Sequence, residues 1–299
     1  MLTADELAIA HSVVYASLFD YPLTLEQLRQ TLPQAVPSTA HLLRAYRCSD
    51  ALSRMIEYER GFFFPAGRRD LIVERQQREA RTRAFLDRHA RALRVICAIP
   101  FTRMVALSGS VAHLNLERDG DLDLFIVARG RRVWSIAVTA IVAAKLLRCR
   151  DVVCVNFVVS DSSLRLEQQD LFTANQVISL RPLVGGDVMN ALLAANPFVT
   201  QCYPNFTPAP ERSAQTPTAA RLKRVVEFLL DAPSVPFEAL CRWAYGRYLQ
   251  ARQQTWRSPE QVRLNPDCLK LHTQSHRRTI LDRFERAMQD ALSWQSRAS

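Results

Sequence analysis

Apolar positions recur at helical spacing through LAIAHSVVYASLF from Leu7, stop at Asp20-Tyr21-Pro22, and resume in TLEQLRQTL, with Thr24 placed as its N-cap. This predicts helix, turn and helix over 7–32, with a third helix within 39–56. The segment IEYERGFFFPAGR then reads as two short strands around Glu59-Arg60-Gly61, a β-hairpin or wing. Three helices and a wing predict a winged-helix domain over 1–68. Its function would be DNA or RNA docking through the third helix, where Tyr46, Arg47 and Arg54 stand, or equally a packing or protein-interaction role.

Residues 69–98 predict one long helix, with Ile72, Phe85, Leu86, Leu93 and Ile96 as its apolar face and eight arginines on a solvated remainder. From Phe101 the pattern changes. MVAL (104–107), LDLFIV (122–127) and DVVCVNFVVS (151–160) read as strands, and Val133 to Leu147 as a buried helix. Further helices are expected over 168–180, 187–195, 218–230, 236–254 and 275–293, with the Pro-rich 203–218 as a linker. The fold class is therefore α/β (α+β): residues 1–68, a core with a leading helix over 69–202, and a C-terminal helical region over 203–299.

Composition narrows the function. Hydrophobic residues make up 48% of the 299, enough to fold, which excludes a disordered polymer. Seven scattered cysteines with no C-x-x-C pair exclude a disulfide framework or zinc ribbon and point to a reducing cytoplasm. The start MLTADELAIAHS lacks the features of a signal peptide. The run VWSIAVTAIVAAKLL falls short of the ~20 apolar residues of a membrane span and is interrupted by Ser135, Thr139 and Lys145. The net charge is +10, carried almost wholly by arginine, with lysine only at 145, 223 and 270. Such charge suits phosphate or nucleic acid, or reflects an arginine-biased composition.

The chemistry lies in VALSGSVAHLNLERDGDLDLFIVA. One strand ends in Gly109-Ser110, and the next begins with Asp121-x-Asp123. Alternate strand residues share a face, so the two carboxylates converge while Leu122, Leu124 and Ile126 enter the core. Two such carboxylates are hard ligands for Mg²⁺ or Mn²⁺, which shares its other positions with water and substrate phosphates. A Gly-Ser turn admits phosphate oxygens to backbone N–H groups, and the Ser110 hydroxyl adds a donor.

This pattern resembles the DNA polymerase β-like nucleotidyltransferase superfamily, whose signature is Gly-Ser followed by Asp-h-Asp-h, h being hydrophobic. More loosely, DVVCVNFVVSDSSLRLEQQDLFTANQVISLRPLVGG, ANPFVTQCYPNF and CLKLHTQSHRRTILDRFERA look like bacterial nucleotidyltransferase-domain proteins with an N-terminal winged helix and helical tail. The resemblance implies a nucleotidyltransferase core with a small mixed β-sheet. It further implies transfer of a nucleotidyl group from a nucleoside triphosphate to an acceptor, with Asp121 and Asp123 on the metal and Gly109 and Ser110 on the triphosphate.

The resemblance also implies a third carboxylate on the next strand, where this chain carries Asn156 as its catalytic-site residue. Three readings follow: an enzyme that tolerates Asn156, an enzyme that recruits Asp119, Asp151 or Asp161, or a nucleotide-sensing or nucleic-acid-binding regulator without turnover. A structural adaptor is a fourth and weaker expectation. His272 and His276, four apart in HTQSH, lack the glutamate of a zinc protease and read as ordinary polar positions. His113 reads as an exposed loop residue, and Lys145 and Arg148 as snorkelling ends of a buried helix or neutralisers of a triphosphate.

Overall fold

The computed structural model describes residues 2–36, 38–208, 211, 217–273 and 276–298, with 217 and 292–298 described by their backbone alone. The chain is a mixed α/β protein. Helix α1 (Ala4–Ser17) begins with a capping box in which Thr3 and Glu6 exchange hydrogen bonds. After the two-residue strand β1 (Leu23–Thr24), Thr24 and Gln27 repeat the device at α2 (Leu25–Gln30). The expected third helix is two. Helix α3 (Thr39–Arg47) stops at Cys48, and Ser49 caps a new helix, α4 (Asp50–Met55), by accepting from the Leu52 N–H.

The hairpin is β2 (Ile56–Glu59) with β3 (Phe62–Pro65), and β1 adds to its other side in the order β1-β3-β2. Arg60 and Gly61 both adopt positive φ, 52° and 85°, as a two-residue turn matching strand twist requires. Ile9, Leu28, Leu42, Leu52, Ile56 and Phe63 close a core of their own beneath it. Tyr46 belongs to that core rather than to a reading surface: its hydroxyl donates to the Ile56 carbonyl and its ring meets Phe63 edge-on.

Helix α5 (Asp70–Cys97) carries the expected Ile72, Leu93 and Ile96 inward, yet two of its arginines are buried as well. Arg75 lies 4.2 Å from the Tyr21 ring and 4.9 Å from Phe62, and donates to the Pro22 carbonyl. Arg78 donates to Phe19 O and Asn115 Oδ1. The arginine-rich face is thus partly a clamp between α5, the turn at 19–22 and the loop at 115.

The main sheet contains β4 (Thr102–Leu107), β5 (Leu122–Ala128), β6 (Val153–Ser160), β7 (Arg181–Val184), β8 (Val262–Asn265) and β9 (Cys268–Leu271), ordered β7-β4-β5-β6-β9-β8. Only β5 and β6 run parallel. Between β4 and β5 lies the single turn α6 (Gly109–Ala112), and α7 (Val133–Leu146) crosses from β5 to β6. Between β6 and β7 lies α8 (Leu171–Ser179), followed after β7 by α9 (Gly186–Ala195) and α10 (Phe198–Cys202). Helices α11 (Pro217–Leu230) and α12 (Ser234–Gln250) precede the hairpin, and α13 (Arg277–Ala298) ends the chain.

Alternation along β5 divides the core. Leu122, Leu124 and Ile126 pack with Ile96, Trp134 and Ala137, whereas Phe125 and Val127 pack with Val177, Leu192 and Val199 on the other face. The C-terminal region is not wholly helical, because β9 pairs with β6 and extends the core sheet. Helix α7 has no cap of its own. Glu238 of α12 supplies it, accepting from the N–H groups of Trp134 at 2.9 Å and Ser135 at 2.7 Å. Of the expected linker 203–218, residues 209–210 and 212–216 lie outside the described residues.

Gly185 shows how tightly β7 is seated. It holds φ 74°, and a Cβ there would stand on the Arg103 carbonyl oxygen. Gly185→Ala is expected to lower stability by about 2–4 kcal/mol, read as a fall in urea midpoint at unchanged slope.

Candidate active site

The sheet's parity puts Asp121 and Asp123 on the face opposite Leu122 and Leu124, at the wall of a cavity of about 1780 Å³ that Gly109, Ser110 and Asn156 also line. All five sequence-derived site residues therefore meet in one place. Gly109 follows β4 with φ 63°, and the Ser108 N–H donates to the Asp123 carbonyl at 3.0 Å, tying the turn to β5. A Cβ on Gly109 would lie 2.5 Å from Asp123 Oδ2, so the carboxylate rests directly on the glycine backbone.

Asn156 owes its position to an irregularity. Asp123 pairs with Cys154 but Phe125 pairs with Phe157, so β6 carries one extra residue. The bulge turns both Asn156 and Phe157 toward the cavity. Asn156 Nδ2 then donates to Asp123 Oδ1 at 3.1 Å. Cys154 Sγ stands 3.6 Å from Asp121 Oδ2 on the same side.

Burial raises the Asp123 carboxyl to about 6, the Asp121 charge adds to the rise, and the Asn156 amide opposes it. A desolvated carboxylate facing a second negative charge forms a place where a divalent cation would replace repulsion by attraction. Asp121 and Asp123 fit one hard cation that completes its shell with water and phosphate oxygens. Among the described residues no group of three His, Cys, Asp or Glu could hold a metal, and Asn156 adds only a neutral amide beside Asp123.

The substitute carboxylates separate by position. Asp161 sits at the far end of β6, accepting from the Gly130 N–H at 2.8 Å and facing Arg103 at 3.7 Å. Asp151 is exposed in the turn before β6 and does not line the cavity. Asp119 alone lines it, from the loop ahead of β5.

Basic residues carried by flanking strands of the same sheet also line the cavity, and the pattern of the sequence did not single them out. Arg181 pairs across from Leu107 at the end of β4, one residue before the Ser108-Gly109 turn. Lys270 pairs across from Phe157, with Nζ 5.4 Å from that ring and 3.0 Å from Gln168 Oε1. Burial pushes the Lys270 ammonium below its usual range. Arg165 and Arg263 also line the cavity, Arg263 paired with Glu167 at 2.7 Å. The missed signal was VRLNPDCLKL, an alternating pair of runs around Asn-Pro-Asp that puts Lys270 and Cys268 on one side.

Several residues fall elsewhere than expected. His113 is not an exposed loop residue: it is packed 5.5 Å from the Tyr21 ring, and its carbonyl accepts from the Tyr21 hydroxyl at 3.0 Å. Lys145 lies in the last turn of α7 and Arg148 just beyond its end at φ 56°, both exposed, and neither lines the cavity. His272 lines the cavity edge-on to Phe157 at 5.8 Å, and since β9 ends at Leu271 and α13 starts at Arg277, it shares no helix with His276.

His11, His113 and His272 are each pushed down to about 4 by burial, with Arg181 and Arg75 adding to the effect at His113 and Lys270 at His272. Their folded pKa lies below the unfolded value, so they contribute nothing adverse at neutrality and destabilise the fold as pH falls from about 6.5 toward 4. Thermal melts should show a lower Tm at pH 4.5 than at 7.5, and His113→Phe should make that slope shallower.

Comparison of the chain with protein-family models, curated proteins and solved structures found no match.

Proposed function

We propose that the protein is a metal-dependent nucleotidyltransferase that moves a nucleotidyl group from a nucleoside triphosphate to an acceptor and releases pyrophosphate. The observation that carries this reading is the Asp123 carboxylate resting on the Gly109 turn, with Asp121, Arg181 and Lys270 lining the same cavity. In it, Asp121 and Asp123 would hold Mg²⁺ or Mn²⁺, which when bound would supply charge neutralisation to the phosphates. Gly109 and Ser110 receive the triphosphate through backbone and hydroxyl donors. Arg181 and Lys270 offset the charge of the departing pyrophosphate.

The acceptor oxygen forms its bond to the α-phosphorus as the bond to the β-bridging oxygen breaks. Asn156 carries no base, so a proton on the acceptor leaves to water in the open cavity. The α/β core would then be the nucleotidyltransferase core with its small mixed sheet, and residues 1–68 a winged helix. Exposed Arg44, Arg47 and Arg54 support nucleic-acid docking by that unit.

One observation favours a second reading. Asn156 spends its amide on Asp123, as a ligand-sensing site without a base would allow. Incubation with α-³²P- and γ-³²P-labelled nucleoside triphosphates, RNA, lysate protein or no acceptor separates the two. Label from the α position entering an acceptor, with label from the γ position recovered as pyrophosphate, supports the transferase. Nucleotide binding without pyrophosphate release supports the sensor and sinks the enzyme.

A further inference from the structure

Helix α11 is amphipathic in the wrong sense for a helix of an isolated globule. Its polar residues turn inward: Lys223 Nζ donates to Thr102 O at 2.8 Å and Cys97 O at 3.2 Å, and Glu227 accepts from the Phe101 N–H at 2.7 Å. Its apolar residues turn outward, with Leu222, Val225, Phe228 and Leu229 exposed, Phe228 at 82%. Helix α12, next in the chain, has the same arrangement. Ser234, Glu238, Cys241 and Leu249 face the core, while Val235, Phe237, Leu240 and Trp243 are exposed, Trp243 at 63%. Exposed apolar helix faces of this kind mark a contact with something else.

Charge says with what. The acidic residues between 217 and 251 are Glu227, Asp231 and Glu238. Glu238 is buried as the cap of α7, Glu227 is buried against the Phe101 N–H, and the half-exposed Asp231 pairs with Arg132 at 2.8 Å and Arg129 at 4.0 Å. Arg221, Arg224, Arg242 and Arg247 remain exposed beside the apolar side chains. The outward surface is therefore apolar and cationic, with two of its acids buried and the third paired with arginine. A two-fold contact between copies would bring one cationic face against another, with Asp231 the one exposed acid between 217 and 251 to meet its arginines. An anionic lipid surface meets both halves: headgroups pair with arginine, and Phe, Leu and Trp enter the acyl boundary. No helix among the described residues is long and apolar enough to cross a membrane, so the contact would lie in the interface plane.

We infer that the α11–α12 face docks the protein on an anionic membrane surface, independently of the chemistry of the cavity. The full chain should co-sediment with vesicles in which roughly one lipid in three is phosphatidylglycerol. Binding should fall at least about tenfold on pure phosphatidylcholine or at high salt. Trp243 emission should shift to the blue and be quenched by brominated acyl chains, and Trp243→Phe should lose that signal while still binding. Phe228→Glu with Leu240→Glu should abolish sedimentation while the circular dichroism melt stays unchanged, because both side chains are exposed. Arg224→Gln with Arg242→Gln should weaken binding mainly at low salt. Failure to bind anionic vesicles, binding without a Trp243 shift, or a stable dimer dissociated by Phe228→Glu would each overturn the inference.

Discussion

Asp123→Asn is expected to lower nucleotidyl transfer roughly a thousandfold or more and, in metal-free buffer, to make the protein more stable above pH 6. The two effects share one cause. The Asp123 carboxyl is held at about 6 by burial and by Asp121, above its unfolded value of 3.8. A carboxyl whose folded pKa is raised binds more protons folded than unfolded between those values, so stability falls as pH rises from about 4 to 6, and the full penalty persists at neutrality. Removing the charge removes that penalty, worth about 2 kcal/mol for a group partly open to solvent, and leaves the Asn156 contact possible after an amide flip. Melts of wild type and variant should therefore diverge at pH 7.5 and converge near pH 4. Mg²⁺ should raise the wild-type Tm and leave the variant unmoved. Equal melts at pH 7.5 would show that Asp123 is not strained.

Gly109→Ala should be nearly as damaging to activity, by roughly a hundredfold, for a different reason. The residue needs φ 63°, which a Cβ disfavours, and the added carbon meets Asp123 Oδ2 at 2.5 Å. The backbone is locked to β5 through Ser108, so the carboxylate must move, and with it the metal position. A stability loss of about 1–3 kcal/mol should accompany it. Ser110→Ala, at a residue without either constraint, should reduce activity less and leave the melt intact.

Much of the fold was readable because local chemistry and tertiary structure agree. Thr24 caps α2, Arg60-Gly61 turns the small hairpin, and the alternation of LDLFIVA sends Leu122 and Leu124 one way and Asp123 the other. Gly109, Ser110, Asp121, Asp123 and Asn156 line one cavity because strand parity and a glycine turn are local properties. What stayed hidden depends on distant partners. Arg75 and Arg78 read as solvated until Tyr21, Pro22 and Asn115 are seen around them. RPLV is four residues with a proline, too short for periodicity, and becomes the edge strand β7 only by pairing with β4. The bulge at Asn156 follows from the pairing of β5 with β6, and the role of Lys270 from the return of a C-terminal hairpin to the core sheet.

The most direct test of the central claim is an electron paramagnetic resonance titration of Mn²⁺ into the protein with a non-hydrolysable nucleoside triphosphate analogue, beside the Asp121→Asn/Asp123→Asn variant. The account predicts one nucleotide-dependent Mn²⁺ site in the wild type and none in the variant. Equal Mn²⁺ binding by both proteins, or no nucleotide-dependent site in the wild type, would contradict it.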